Sequence, residues 1–405
     1  MVTPKLSVMN HLAVAGNRGE GVRSDCYVEL EPASKGGIEI RLQSRVESMF
    51  GKQIREQVAI VLKELGILHA RVQIEDSGAL PFVIAARLEA AAAMLKQAIH
   101  PSLPELIPSN RLETSRERFR FSRLYLPGNT PSLMLNAGIH GPDGIILDLE
   151  DSVAPDKKAE ARILVRNALR QVDFYGAERM VRINQLPAGL KDLEEIVPHY
   201  VHLILIPKCE HGSEVKQVEE YVTSLLAVAG QKRQIYLMPI VESALGIENA
   251  YQIATSSELM VGMAIGLEDY TADLGVKRTT GGDESLYART RLVNACKAAG
   301  IQPIDSVFSD IDDMDALLTN AKRSRAIGFE GMGCIHPRQI RVIHEGFCPD
   351  QEEIERANRI VEAFREAESR GLGVTTLGSK MIDPPVVRRA ERTLQVASQY
   401  HKSGS

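Results

Sequence analysis

The chain has no apolar run approaching the roughly 20 residues that a membrane-spanning helix needs. Its first residues, MVTPKLSVMNHLAVAG, carry no long apolar core of the kind a signal peptide uses. Cysteine is scarce and scattered. Cys26, Cys209, Cys296, Cys334 and Cys348 form no CxxC pair, and an odd count argues against a disulfide framework. A cytoplasmic, reducing location is the expectation. Charge of one sign is missing too. Against 48 basic residues stand 53 acidic ones, mixed along the sequence, for a net −5. That leaves no basic footprint for nucleic acid and no polybasic membrane patch. No GxGxxG follows a first strand, which disfavours an open dinucleotide-binding sheet. What remains is an ordinary globular composition, 44% hydrophobic over 405 residues, enough for a large core and more than one domain.

Residues 1–100 read as a small α+β unit. CYVEL (26–30), IEIRL (38–42) and ARVQIED (70–76) alternate as strands do. Val46, Met49, Phe50, Ile54, Val58, Val61, Leu62 and Leu65 stripe one helix, which Gly66 ends, and Ile84, Leu88, Ala91, Leu95 and Ile99 stripe a second. The expected order is ββαβα, with no cluster of catalytic residue types: a unit that carries or docks. Residues 101–118, with three prolines and a polar charged run, read as a linker, stiff first and then exposed.

From residue 119 to about 350 the pattern becomes strand–helix alternation. Eight apolar runs begin at LYLP, GIILDLE, MVRIN, LILIPK, IYLMPIVE, LMVGMAIG, IQPIDSVF and GCIHP, which is the arithmetic of a (β/α)8 TIM barrel. Residues 351–405 form a charged helical extension interrupted by a glycine-rich turn segment, GLGVTTLGSKMIDPPVV, expected to pack on its own barrel or a neighbour's. Several strand runs stop at polar residues, and in such barrels chemistry sits at those C-terminal ends.

The strongest of these endings are Glu242 after MPIV and Asp269 after AIGLE. Neighbouring parallel strands put the two carboxylates at one end of the sheet. Carboxylates that close repel unless a cation or proton lies between them. Mg²⁺, which takes few carboxylates and keeps positions for water and substrate, is the simplest occupant; helix capping is the plainer alternative. Arg182 ends its strand beside Asn184 and suits a substrate carboxylate, or an ion pair with Asp148 or Glu150. Asp148, Glu150 and Asp151 crowd one turn, in an outer shell of the site or as helix caps. His336, beside Cys334, is too isolated for a zinc site and reads as structural or as a substrate contact. Asp383, between Ile382 and two prolines, is either a turn former or a partly desolvated carboxyl able to move a proton.

Taken in order, RLYLPGN (123–129), GIILDLEDSVAPDKKAEAR (144–162), VRIN (181–184), VESALGI (241–247), GLEDYTADLG (266–275), GFEGMGCIHPRQI (328–340) and GLGVTTLGSKMIDPPVV (371–387) resemble the citrate lyase beta subunit, within the HpcH/HpaI aldolase-like lyases. VESMFGKQIREQV and DSGALPFVIAARLEAA resemble the gamma subunit, the acyl carrier of the same complex. The resemblance implies a natural carrier–lyase fusion that splits a citryl thioester into oxaloacetate and an acetyl thioester. Its metal acids fall on Glu242 and Asp269, its substrate contacts on Arg182, Glu242 and Tyr125, and its late catalytic aspartate on Asp383. It implies a phosphoribosyl-dephospho-CoA prosthetic group, of phosphopantetheine type, on Ser24, which makes the chain a phosphoprotein. Ser24 adjoins Asp25 directly, where the family usually has one residue between. An alpha subunit and a homo-oligomer are the implied partners. The rivals are a malyl- or citramalyl-CoA lyase using free CoA thioesters, and a non-catalytic scaffold barrel.

Overall fold

The computed structural model describes residues 12–95 and 100–403. The N-terminal unit is a four-stranded sheet of β1 (Ala13–Gly16), β2 (Cys26–Pro32), β3 (Ile38–Ser44) and β4 (Ala70–Asp76), in the order β1-β2-β4-β3. β3 and β4 run parallel across the helix α1 (Glu47–Glu64), and the other pairs are antiparallel. Strand β1 was not expected. Gly66 ends α1 at φ +79°, as anticipated. Met49 and Phe50, read as part of the apolar stripe, are exposed instead. The inner face of α1 runs through Gly51, Ile54, Val58, Val61 and Leu62, and the two residues lie off it.

Helix α2 (Pro81–Met94) is buried from Phe82 to Ala92 on every side. Its alanines, apolar all round, suit a helix between two layers. One layer is its own sheet and the other is a barrel helix, α4 below.

The barrel strands are β5 (Ser122–Pro127), β6 (Gly144–Asp148), β7 (Glu178–Arg182), β8 (Leu203–Ile206), β9 (Tyr236–Val241), β10 (Gly262–Ile265), β11 (Gln302–Ile304) and β12 (Met332–Cys334). All pair in parallel, β12 returns to β5, and a bridge between Asp305 and Met332 closes the cylinder. The eight expected strands are all present. Between them lie α3 (Pro131–Met134), α4 (Lys158–Gln171), α5 (Gly189–Ile196), α6 (Gly212–Val228), α7 (Ala244–Glu248), α8 (Ala250–Ala254), α9 (Leu267–Asp273), α10 (Asp283–Ala299) and α11 (Met314–Ile327), and α12 (Arg338–Phe347) follows the last strand. Ile146, Met180, Leu205, Met238, Ile240 and Ile304 fill the interior. Among the described residues no helix is long and apolar enough to cross a membrane.

The end of the barrel away from the strand C-termini is stoppered. Arg120 is fully buried and gives Glu178 two hydrogen bonds, from Nε to Oε2 at 2.7 Å and Nη2 to Oε1 at 2.9 Å. It also donates to Gln302 and to the carbonyls of Ser115, Arg116 and Arg118. The segment read as a linker is thereby strapped down. Asn110 bonds the carbonyls of Leu169 and Val172, and Arg179 holds the carbonyls of Asn110 and Leu112. Residues 111–113 and 115–117 are exposed, as expected, but tied through their backbone.

A buried ionic cluster seats the N-terminal unit on α4. Arg87 of α2 donates Nε and Nη2 to the two oxygens of Asp25, both at 2.9 Å, and Nη2 also reaches the carbonyl of Asn129. Its Nη1 lies 3.6 Å from Glu160 of α4, whose other oxygen accepts the Gly16 amide at 2.8 Å. A second pair joins Glu89 of α2 to Arg166 of α4 by bonds of 2.8 and 2.7 Å. Such pairs offset the desolvation of their charges only when both partners stay in place.

After the barrel, α13 (Gln351–Ser369) and α14 (Pro384–Ser403) pack on each other through Ala357, Val361 and Ala390. Between them the hairpin of β13 (Thr375–Leu377) and β14 (Lys380–Ile382) leaves Leu372, Val374 and Met381 exposed.

Candidate active site

Side chains alternate in and out along a strand, and the alternation aims the charged residues. Ile146 faces inward, so Asp148 two residues on does too. Met180 leads to Arg182 and Ile240 to Glu242 in the same way. Register pairs Asp148 with Arg182 directly. All three residues line a cavity of about 880 Å³ at the C-terminal ends of the strands, with Tyr125, Asp269 and His336.

Arg182 makes a two-pronged bond to Asp148, Nε to Oδ1 at 2.6 Å and Nη2 to Oδ2 at 2.7 Å, and its Nη1 sits 2.9 Å from Glu150. Burial alone lowers the guanidinium's pKa, but the bonds and charge of Asp148 outweigh it and raise it. Burial also raises Asp148, yet the bonds from Arg182 hold it below the ordinary range. Glu150 is raised, mainly by burial. The Tyr125 ring lies 5.4 Å from the Arg182 guanidinium carbon, a cation–π contact that fixes the fork from one face. The ion pair foreseen as the alternative role for Arg182 is therefore present, and it orients the residue while the cavity remains in front of it.

Glu242 is 6% exposed. One oxygen accepts the Lys208 amide at 2.8 Å. The other lies against Gly266, where any Cβ would stand 2.3 Å from it; glycine at the end of β10 is what lets the carboxylate pass. Burial, then the charge of Asp269, push Glu242 up to about 8. Asp269, in the first turn of α9, is half-exposed at the rim. Lys208, for which the sequence suggested no role, spans this group. It adopts φ +48°, and its ammonium stands 3.4 Å from Glu150, 3.6 Å from Asp151 and 3.7 Å from Asp269. Among the described residues no three His, Cys, Asp or Glu side chains form a metal cage. Two carboxylates lining one cavity, with Glu242 raised by burial and by Asp269, still fit a hard divalent ion completing its shell with water and substrate.

Of three other expected residues, one reaches the cavity and two fall elsewhere. His336 reaches the rim, where its Nδ1 accepts the Arg338 amide. Asp383 is outside the cavity and caps α14, its Oδ1 accepting the Val386 amide at 3.2 Å. Ser24 lies in the N-terminal unit at φ +55°, half-buried, its amide bonded to the Ser77 carbonyl at 3.0 Å.

A closed parallel barrel with paired acids and an oriented arginine at its mouth defines a class of carbon–carbon lyases and aldolases. Residues 122–337 match the family model described as HpcH/HpaI aldolase/citrate lyase, and the chain belongs to that family. Residues 13–95 match an acyl carrier model described as malonate decarboxylase delta subunit. The citrate lyase subunit beta of Leuconostoc mesenteroides subsp. cremoris is 37% identical over 290 residues, 71% of this chain and 96% of its own. The human mitochondrial citramalyl-CoA lyase is 33% identical over 330 residues, 78% of this chain and 96% of its own. Among solved structures, the CitE protein of Mycobacterium tuberculosis in complex with magnesium, acetoacetate and coenzyme A superimposes with a TM-score of 0.60. It is 29% identical and covers 70% of this chain and all of its own.

Proposed function

We propose that the chain is a Mg²⁺-dependent lyase that cleaves a citryl thioester into oxaloacetate and an acetyl thioester. The observation that carries this reading is the convergence of Arg182, Glu242 and Asp269 on one cavity at the barrel mouth. The similarity to citrate lyase beta subunits and to a magnesium- and coenzyme A-bound relative supports it. Glu242 and Asp269 hold the ion, which when bound polarises an oxygen of the oxo-acid half as a Lewis acid. Arg182, locked by Asp148 and Tyr125, presents its remaining donors to the substrate carboxylate and aims the bond to be broken. A base takes the proton of the tertiary hydroxyl as the carbonyl forms and the C–C bond breaks. Its electron pair passes to the thioester carbon as an enolate, and a carboxyl group then protonates that carbon.

Asp383 is our candidate for that acid, supplied from a second copy. Its own cavity excludes it, while the exposed Leu372, Val374 and Met381 beside it provide an apolar surface for a neighbouring barrel to cover. Ser24 is the candidate attachment point for the phosphoribosyl-dephospho-CoA arm, and an alpha subunit the partner that exchanges acyl groups. Because the N-terminal unit is seated on α4, the arm itself spans the distance to the mouth, not a swinging linker.

Glu242→Ala is expected to abolish Mg²⁺-stimulated citryl-CoA cleavage in a coupled assay; unchanged activity removes the metal assignment. The similarity to citramalyl-CoA lyase favours one alternative, a lyase on free CoA thioesters. Intact-mass measurement of the native chain separates the two, since a large adduct lost in Ser24→Ala belongs only to the carrier reading.

A further inference from the structure

Among the described residues, one fully buried barrel arginine has no carboxylate partner. Arg123 lies on β5 two residues before Tyr125, faces inward with it, and is 1% exposed. Its Nε is sealed from solvent with no hydrogen-bond partner, and its Nη1 meets the thioether of Met238 at 2.9 Å. The other arginines buried as deeply hold carboxylates: Arg87 has Asp25, Arg120 has Glu178 and Arg166 has Glu89. Burial pulls the Arg123 guanidinium down to about 10. An unpaired buried charge is among the costliest features a core can keep. Arg123 lines the same cavity as Arg182 and Glu242, at its deep end.

We propose that Arg123 receives the second carboxylate of the substrate, and so selects a dicarboxylic 2-oxo acid over a monocarboxylic one. The assignment rests on the lyase reading above. A citryl thioester has two free carboxylates. One is borne by the carbinol carbon and is taken by Arg182 and the paired acids' ion at the mouth. The other, on a methylene arm, must enter the chamber, where a lone carboxylate is as unfavourable as the lone arginine. Joining them satisfies both. Below Arg123 the next guanidinium, that of Arg120, is already committed to Glu178. A pyruvyl or glyoxylyl product lacks the second carboxylate and leaves Arg123 unpaired, which is how a polar site rejects an analogue.

The test uses the full chain with Mg²⁺ and calorimetric titration of freshly dissolved oxaloacetate and of pyruvate. The wild type is expected to prefer oxaloacetate by about 10²-fold, and Arg123→Met to bring the ratio near one. The melting temperature reports folding; Arg123→Gln takes the same measurement should the methionine variant not fold. A variant that binds oxo acids and keeps the wild-type preference overturns the assignment and leaves the lyase standing. A wild type that binds neither oxo acid overturns the lyase reading and the assignment with it.

Discussion

Replacing Arg87 by methionine tests whether charge holds the N-terminal unit against the barrel. The wild-type cluster is balanced: Arg87 and Lys157 face Asp25 and Glu160, with Lys157 3.0 Å from Glu160. Arg87, Asp25 and Glu160 are 0, 2 and 1% exposed, so water cannot replace the missing partner. Removing one member of a buried pair and leaving its acid behind costs about 3–5 kcal/mol. The Gly16 amide, which donates to Glu160, is the local reporter. If the cluster is the clamp, hydrogen exchange at that amide speeds up by about 10²–10⁴, the equivalent of that energy. Urea unfolding followed by mass spectrometry should show the N-terminal sheet opening before the barrel, with protection of β6 and β9 unchanged. Arg41→Met, on an exposed strand face, is the control and should shift nothing. Wild-type exchange at Gly16 in the Arg87 variant, with an unmoved urea midpoint, refutes the reasoning.

Arg182→Lys removes the fork that meets Asp148 at two points, and a single ammonium cannot restore it. The expected loss in kcat/KM is about 10²-fold, or roughly 3 kcal/mol; steady-state kinetics within a factor of three of wild type contradict the role given to it. Acid stability depends on two buried histidines. Burial, then neighbouring arginines, depress His199 to about 3 and His202 to about 4. Below pH 6.5 the unfolded chain takes up protons that the folded one refuses, so stability is lost as pH falls toward those values. His202 alone accounts for about 2–3 kcal/mol between pH 7 and 4.5, measurable by urea unfolding as a shallower pH slope in His202→Gln.

The barrel was legible because its strands are apolar runs broken by charge, and the period of two along each run leads to Asp148, Arg182 and Glu242. The N-terminal sheet was three-quarters legible. β1 is four small residues before a glycine loop, with too little side chain to show alternation. The strap defeated reading because its backbone carbonyls are held by the side chains of Arg120 and the distant Arg179, which no pattern of residue types records. Arg123 sits on the right face of a correctly placed strand; its isolation is visible only once register sets Gly144 opposite it and Glu178 is seen to be held by Arg120. The run of alanines in α2 was an available signal of two-sided burial. Asp383 was found as a residue, but its cap on α14 is a matter of local geometry that composition does not fix.

The stopper of Arg120 and Glu178 also dictates a sequence of events. A vessel shut at its base fills and drains through its neck. Whatever lies deepest went in first and must come out last. In the function proposed above, the oxo-acid half of the substrate would lie beneath the thioester and stay there until the acyl arm withdraws, so that departure of the acetyl group would gate turnover.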